Sequence, residues 1–243
     1  MDDDRVACDA AWFAGAAGGY VASGSNAAIG RVETDSRKAG PSALFVAIRG
    51  ERSDGHDYAR RAADAGAPAA LVSASWWAAH GPAAFAGSRC AVIVVPDTIP
   101  ALQKAAAAYR ARFPSLLRFG VTGSAGKTSA KELLAAIVGA SRPTIKNPGN
   151  LNSDIGLPAS MFLVRPGHEA AVFEMGINRP GEMDELAAVY EPDCALITNV
   201  GTAHVGVLGG TRAAIAEQKK RIASRFDGGQ TLVVWEDDDF RDA

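Results

Sequence analysis

The sequence predicts an α/β protein with a small amino-terminal α/β domain followed by a parallel-sheet domain. Hydrophobic residues make up 48% of the 243 residues and charged residues 21%, which is enough apolar side chain for a buried core. Short apolar runs alternate with helix-forming segments. In the second half of the chain a turn and then a helix follow most of these runs, an order typical of a parallel sheet covered on both faces.

In the first half, turn residues set the limits of the predicted elements. Gly40-Pro41 and Gly50 flank one apolar run, and Gly66-Ala67-Pro68 ends the helix that follows it. The predicted elements are strands at 43–48, 69–72 and 91–95 and a helix at 56–65. Pro96-Asp97-Thr98 gives a turn and an N-cap for a helix at 99–113. We therefore predict domains at 1–96 and 97–243.

The second half repeats one unit of strand, turn and helix. The predicted strands lie at 117–122, 144–146, 170–174, 194–200 and 230–235, and the helices at 127–138, 155–163, 179–189 and 212–223. Because parallel strands end at the same edge of a sheet, the turns after them are expected to form a ligand site there.

Composition excludes several classes of protein. With 25 basic and 27 acidic residues the net charge is −2, which does not favour nucleic-acid binding. The apolar runs are too short to cross a bilayer. Residues 2–4 are all aspartate, whereas a secretory signal begins with basic residues. Cys8, Cys90 and Cys194 are too widely spaced for a disulfide framework or a zinc site. We expect a soluble cytoplasmic protein without a membrane span.

A glycine-rich turn joins the first strand of the second half to its helix. It comprises Gly123, Ser124, Ala125, Gly126, Lys127 and Thr128. Such a turn directs backbone N–H groups at phosphate oxygens, while the lysine neutralises the β and γ phosphates and the threonine hydroxyl faces Mg²⁺. The spacing is tighter than in the common phosphate loop, since Val121 stands where that loop has its first glycine. A chance glycine turn is the alternative, but the flanking strand and helix favour a nucleoside triphosphate site.

The loop and several further blocks resemble the Mur ligases, the ATP-dependent amide-forming enzymes of peptidoglycan precursor synthesis. The downstream blocks are 147–158, 173–176, 197–204 and 215–222, and the upstream blocks are 34–37, 43–52 and 54–58. The resemblance implies a ligase that acts on a UDP-N-acetylmuramoyl-peptide through an acyl phosphate, with D-alanyl-D-alanine as the expected amine.

The resemblance also implies site residues in the second domain. Asn150 and Asn152 join the glycine-rich turn in binding nucleotide. Two Mg²⁺ ions are expected on Thr128, Glu174, His204 and Lys219, the last as a carbamate made from CO₂. Lys127, His204 and Lys219 are the expected catalytic residues. By itself, Lys219-Lys220-Arg221 would indicate an exposed basic helix face.

In the first domain the resemblance implies that two short segments receive the uridine diphosphate end of the substrate. They are Asp35-Ser36-Arg37 and Asp54-Gly55-His56. An arginine and backbone donors suit a pyrophosphate. A solvated turn with an ion pair is the competing interpretation for each residue.

Members of the family have three domains and are about twice as long as this chain, so we expect the carboxyl-terminal domain to be lacking and the second domain to be incomplete at its carboxyl end. Two alternatives to a complete ligase of peptidoglycan synthesis therefore remain. The chain is a truncated or split relative that binds nucleotide or UDP-sugar and needs a partner chain, or it is a Mur-like ligase of another pathway.

Overall fold

The chain divides between Tyr109 and Arg110 into two units. The computed structural model describes residues 6–241, and within them each unit contains one five-stranded sheet. No helix among these residues is both long and apolar enough to cross a membrane.

The first unit has a sheet of order β2-β7-β6-β5-β4, in which β2 is antiparallel to β7 and the other neighbours are parallel. Its elements are β1 (Cys8–Asp9), α1 (Ala10–Ala17), β2 (Tyr20–Ser23), β3 (Ala28–Ile29), β4 (Arg31–Glu33), β5 (Ala43–Val46), α2 (Ala59–Asp64), β6 (Ala69–Ser73), α3 (Ala74–His80), β7 (Ala91–Val95) and α4 (Thr98–Arg110). The predicted strands β5, β6 and β7 are confirmed. The elements before residue 43 and α3 were not predicted.

The helix α4 is packed mainly with the first unit. The Thr98 hydroxyl donates to the carbonyl of Ala47 at 2.8 Å, and the rings of Trp12 and Tyr109 meet edge to face. The structural division therefore falls at the last residue of this helix, whereas the sequence-based boundary near Pro96 precedes the helix.

The second unit is a parallel sheet of order β12-β11-β8-β10-β9. Its elements are β8 (Leu117–Thr122), α5 (Lys127–Gly139), β9 (Thr144–Lys146), α6 (Gly156–Met161), β10 (Ala170–Glu174), α7 (Glu182–Tyr190), β11 (Cys194–Ile197), α8 (Arg212–Lys220) and β12 (Thr231–Val234). The predicted parallel sheet is confirmed. Strand β8 lies at its centre, so the glycine-rich turn emerges at the middle of the carboxyl edge.

Several element limits differ from the prediction, and two of the differences have a visible local cause. Helix α7 begins at Glu182 rather than at 179, because the Glu182 carboxylate accepts the N–H groups of Asn178 and Arg179 and closes a turn there. Strand β11 ends at Ile197, after which Asn199 bonds to the glycine-rich turn.

Candidate functional site

The glycine-rich turn after β8 has a backbone that only glycine accommodates easily. Gly123 has φ of +151°, and a Cβ atom there would lie 1.9 Å from the Thr198 hydroxyl oxygen. Gly126 has φ of +77° and precedes α5 without a side-chain cap. These two glycines let the chain turn sharply and enter the helix with its amino end uncovered by a side chain.

The backbone N–H groups of this turn fall into two sets. Those of Ser124 and Ala125 donate to Asn199, to its carbonyl and its side-chain oxygen respectively, both at 3.0 Å. The first helical bond runs from Ala130 N–H to the Gly126 carbonyl at 2.9 Å. The N–H groups of residues 126–129 therefore precede the bonded part of α5 and make its amino end positive, as an anion site requires.

Two lysines bring positive charge to this region. Lys127 Nζ donates to the Gly123 carbonyl at 3.0 Å, which holds it over the turn. Lys219 is buried, with 3% of its surface exposed, and has no hydrogen-bond partner among residues 6–241. Burial and then the neighbouring Lys127 charge lower the pKa of Lys219 to about 8. An anion bound near both ammonium groups would relieve their repulsion.

The carboxylate of Glu174, at the end of β10, is the centre of an oxygen-rich cluster. Glu174 is 2% exposed; its Oε2 accepts the Thr128 hydroxyl at 2.8 Å and its Oε1 accepts the Asn152 amide at 2.6 Å. Because the Thr128 hydroxyl donates its hydrogen in this bond, the lone pairs of its oxygen are available to a cation. A carboxylate beside a hydroxyl oxygen is the donor set that Mg²⁺ prefers, so these residues fit the ion.

The His204 side chain makes no hydrogen bond to this cluster. It is exposed, has φ of +62°, and its imidazole has no hydrogen-bond partner in the described part of the chain. Across residues 6–241 no group of three or more His, Cys, Asp or Glu side chains is placed to hold a metal. The structure thus brings Thr128 and Glu174 together and shows no hydrogen bond between either of them and His204.

The loop at 147–152 connects β9 to the Glu174 cluster. The Asn147 side chain is buried and bonds to both the N–H and the carbonyl of Glu174, at 2.9 and 3.0 Å. Asn152 reaches the carboxylate itself. Asn150 is exposed, and within residues 6–241 only its carbonyl is bonded, to Asn152 N–H at 2.8 Å. Of the two asparagines expected at the site, the structure places Asn152 against Glu174.

In the first unit an open cleft of about 590 Å³ lies beside the carboxyl ends of β4 and β5. Four of the six residues expected to bind substrate line it, namely Asp35, Ser36, Arg37 and Gly55. Arg37 forms a two-oxygen ion pair with Asp35, at 2.9 and 2.8 Å. The Arg37 guanidinium and N–H lower the pKa of the Asp35 carboxyl to about 2.

The other two residues, Asp54 and His56, hold the backbone beside the cleft. His56 is buried; its Nε2 accepts Ser73 N–H at 2.9 Å, so its Nδ1 carries the proton and donates to Asp54 at 2.5 Å. Partial burial acts to raise the pKa of Asp54, but His56 and Arg49 outweigh it and lower that pKa to about 2. Asp54 and His56 therefore join the segment after β5 to the end of β6.

The lowered pKa of Asp54 predicts a loss of stability in acid. The folded pKa lies below the unfolded pKa of about 3.9, so the stabilisation is complete above about pH 5 and is lost as pH falls from about 5 to 2. Urea unfolding followed by tryptophan fluorescence measures the free energy of unfolding of the first unit at each pH, because this unit contains Trp12, Trp76 and Trp77. We expect Asp54→Asn to flatten the curve over that interval. Asp35→Asn reports the separate contribution of Asp35, and an unchanged slope in Asp54→Asn would contradict the assignment.

Comparison with known proteins identifies the family. The model of the Mur ligase middle domain matches residues 121–243, and that of the Mur ligase family catalytic domain matches residues 28–138. This chain belongs to the Mur ligase family. The resemblance noted in the sequence is thereby confirmed, and the matches cover the phosphate loop, Glu174, the 147–152 loop and the first-unit cleft.

Individual relatives agree with this assignment. A UDP-N-acetylmuramoyl-tripeptide–D-alanyl-D-alanine ligase of Treponema pallidum is 47% identical over 198 residues, which are 80% of this chain and 42% of that protein. A crystal structure of MurF from Acinetobacter baumannii has a TM-score of 0.81 at 33% identity, over 94% of this chain and 49% of that one. MurF ligase from Thermotoga maritima in complex with ADP has a TM-score of 0.70 at 33% identity, over 86% of this chain and 46% of that one. The chain thus spans about two fifths of the length of the curated Mur ligases it matches.

Several residues of the site were not predicted individually. Asn147 and Asn199 lie within sequence blocks that resemble the family, yet a loop asparagine gives no sign of which backbone groups it will bind. Lys131 is buried in α5, and only the carbonyl groups it meets in three dimensions show its role.

Proposed function

We propose that this chain provides the nucleotide-binding and UDP-substrate-binding units of an ATP-dependent carboxylate–amine ligase. The contact between Thr128 on α5 and Glu174 on β10, beside the uncovered helix end, carries the proposal. It unites a phosphate-binding turn with oxygen ligands for a divalent ion, as phosphoryl transfer requires. The names of the relatives supply the substrate class: a UDP-N-acetylmuramoyl-tripeptide, with D-alanyl-D-alanine as the amine.

Residues of the second unit have different roles in phosphoryl transfer. Thr128 and Glu174 would hold Mg²⁺, which supplies positive charge to the phosphate groups. Lys127 and the open N–H groups of α5 bind the phosphate oxygens and stabilise charge that develops during transfer. The substrate carboxylate attacks the γ-phosphorus, the bond to ADP breaks, and an acyl phosphate forms. The neutral amine nitrogen then attacks the acyl carbon and loses a proton to solvent, phosphate leaves and an amide results.

Lys219 is proposed to be carbamylated and to serve, with His204, a second Mg²⁺. The neutral amine adds to the carbon of CO₂, a nitrogen–carbon bond forms and the nitrogen loses a proton. At a pKa of about 8 roughly half of the Lys219 amine is neutral at pH 8, against under about 1% for an ordinary lysine. The resulting anion would also remove the repulsion from Lys127.

Carbamylation of Lys219 predicts a carbamate carbon signal by nuclear magnetic resonance in ¹³C-bicarbonate, beside that of the α-amino group, whose ordinary pKa also leaves it partly neutral at pH 8. The intensity of the Lys219 signal should rise as the pH is raised from about 7 to 9, because the amine loses its proton over this interval. Lys219→Met should abolish it, while Lys220→Met, which alters an exposed neighbour bonded to Glu217, should leave it. A spectrum of Lys219→Met that still contains every wild-type signal would contradict the assignment.

The cleft of the first unit is proposed to receive the uridine diphosphate part of the substrate. The guanidinium of Arg37 is largely exposed and lies beside it, so it can turn from Asp35 to a pyrophosphate. The exposed ion pair costs little to exchange for a charged ligand.

ADP release from MgATP tests the overall proposal, with bicarbonate, UDP-N-acetylmuramoyl-tripeptide and D-alanyl-D-alanine present and each omitted in turn. Release that needs both co-substrates supports ligation by this chain. Release that appears only when the remaining portion of a relative is added as a separate chain supports the partner-chain form of the proposal. No release under either condition, with no nucleotide binding, would contradict it.

A further inference from the structure

Lys131 places a positive charge inside the second unit. Its side chain is fully buried, and its Nζ donates to the carbonyls of Asn147 at 3.0 Å and Gly149 at 3.1 Å. The Glu132 carboxylate lies 3.2 Å away. The ammonium therefore has three oxygen neighbours for its three hydrogens, two of them in the 147–152 loop.

Packing alone does not require this ammonium group. An apolar side chain of similar length would fill the same space without the cost of taking a charge out of water. The two carbonyls are directed to one point by the loop, and a cation there fixes the loop against α5. The charge of Lys131 thus holds the 147–152 loop in position against α5.

Lys131 lies on the same helix as the phosphate-side residues, and its position follows theirs by one turn. It comes three residues after Thr128 and four after Lys127, which places all three on neighbouring positions of one helix face. A loop fixed to Lys131 is therefore fixed relative to Lys127 and Thr128.

The loop in turn fixes Glu174. Asn147 bonds to the backbone of Glu174, Asn152 donates to its carboxylate, and Gly176 N–H donates to the Asn152 carbonyl at 2.8 Å. A Cβ at Gly176 would lie 2.9 Å from the Asn152 side chain, so the Gly176 backbone packs closely against this side chain. The contacts form a closed ring from α5 through the loop to β10 and back through Thr128.

We propose that Lys131 is a positioning residue, which holds the 147–152 loop so that Asn152 orients the Glu174 carboxylate toward Thr128. The inference rests on the proposed nucleotide function, since it assigns Lys131 to the Mg²⁺-dependent part of nucleotide binding. Lys131 itself touches neither Glu174 nor the phosphate-binding turn through any hydrogen bond in the described residues.

The test uses Lys131→Met, which keeps the length of the side chain and removes its charge. Lys146→Met is the matched control, because Lys146 pairs with the same Glu132 but has no hydrogen bond to the loop carbonyls in the described residues. Hydrogen exchange of the ligand-free chain should be at least about 10-fold faster in Lys131→Met at residues 151 and 152 and at Gly176, with no such change in the control. Unchanged exchange at these amides would overturn the inference.

Calorimetry of ADP with and without Mg²⁺ supplies the functional readout. In Lys131→Met we expect the enhancement of ADP affinity by Mg²⁺ to fall by about 10-fold, as for loss of a group that orients a metal ligand, while the affinity for metal-free ADP stays within about 2-fold. A purely structural role would lower the melting temperature and leave this ratio unchanged, which would overturn the inference.

Asn152→Ala keeps the inference testable if Lys131→Met does not fold. Asn152 is only half-buried, and its removal breaks the link from the loop to the carboxylate, so the same loss of Mg²⁺ enhancement is expected. Full enhancement in Asn152→Ala would refute the path through the loop. If the wild-type chain binds no ADP, the proposed function fails, and the exchange measurement still decides whether Lys131 positions the loop.

Discussion

Lys127→Ala should lower the affinity of the chain for MgATP by about 10- to 100-fold. The variant removes an ammonium group at the uncovered end of α5, and a hydrogen bond to a charged group contributes about 1.5–3 kcal/mol. The fold should persist, because the only hydrogen bond of Lys127 Nζ in residues 6–241 is to the Gly123 carbonyl. Isothermal titration calorimetry measures the loss.

Lys146→Ala is the control for this substitution. It removes a half-exposed lysine paired with Glu132, so nucleotide affinity should stay within about 2-fold of the wild type. Wild-type affinity in Lys127→Ala would contradict the assignment of the phosphate-binding turn. Equal losses in both variants would indicate a general effect of charge.

Glu174→Gln should remove the dependence of nucleotide binding on Mg²⁺ and should leave most of the binding of metal-free ADP. The carboxylate supplies the negative oxygen ligand at the end of β10, and an amide cannot replace its charge. We expect at least about a 10-fold fall in the ratio of Kd for ADP without and with Mg²⁺, the scale of perturbed metal sites. The amide nitrogen would also face the Thr128 hydroxyl or the Asn152 amide, both of which donate.

Glu169→Gln is a matched control at the other end of the same strand. Glu169 is exposed, with its carboxylate 3.9 Å from Arg142, and immediately precedes β10. Its substitution should leave the Mg²⁺ effect intact. A normal Mg²⁺ effect in Glu174→Gln would remove Glu174 from the metal site.

Much of the second unit follows from local sequence signals. Strands β8, β9 and β10 coincide with the predicted ranges because each is a compact run bounded by turn residues. The alternation of strands and helices predicts the parallel sheet, and the central place of the phosphate-binding turn follows from the strand order. The same signals place Glu174 at the carboxyl edge.

The amino-terminal region was predictable to a smaller extent. Strands β1, β3 and β4 have only two or three residues each, too few for an alternating pattern to emerge. Helix α3 carries Trp76, Trp77 and several alanines in seven residues, and without polar periodicity it resembles a buried segment.

The candidate site shows the limit of inference from sequence in more detail. The types of residue at Lys127, Thr128 and Glu174 indicate phosphate and metal chemistry. The roles of Asn147 and Lys131 depend on backbone groups 16–27 residues away in sequence, and no short pattern records such contacts. His56 was expected at the substrate, whereas its two ring nitrogens are taken by Asp54 and Ser73.

Calorimetric titration of the 243-residue chain with MgATP is the most direct test that the second unit is a nucleotide-binding unit. We expect one bound nucleotide per chain, with binding that is weakened by Lys127→Ala and made independent of Mg²⁺ by Glu174→Gln. A wild-type chain that binds no MgATP at millimolar concentration would contradict it, as would binding that neither substitution changes.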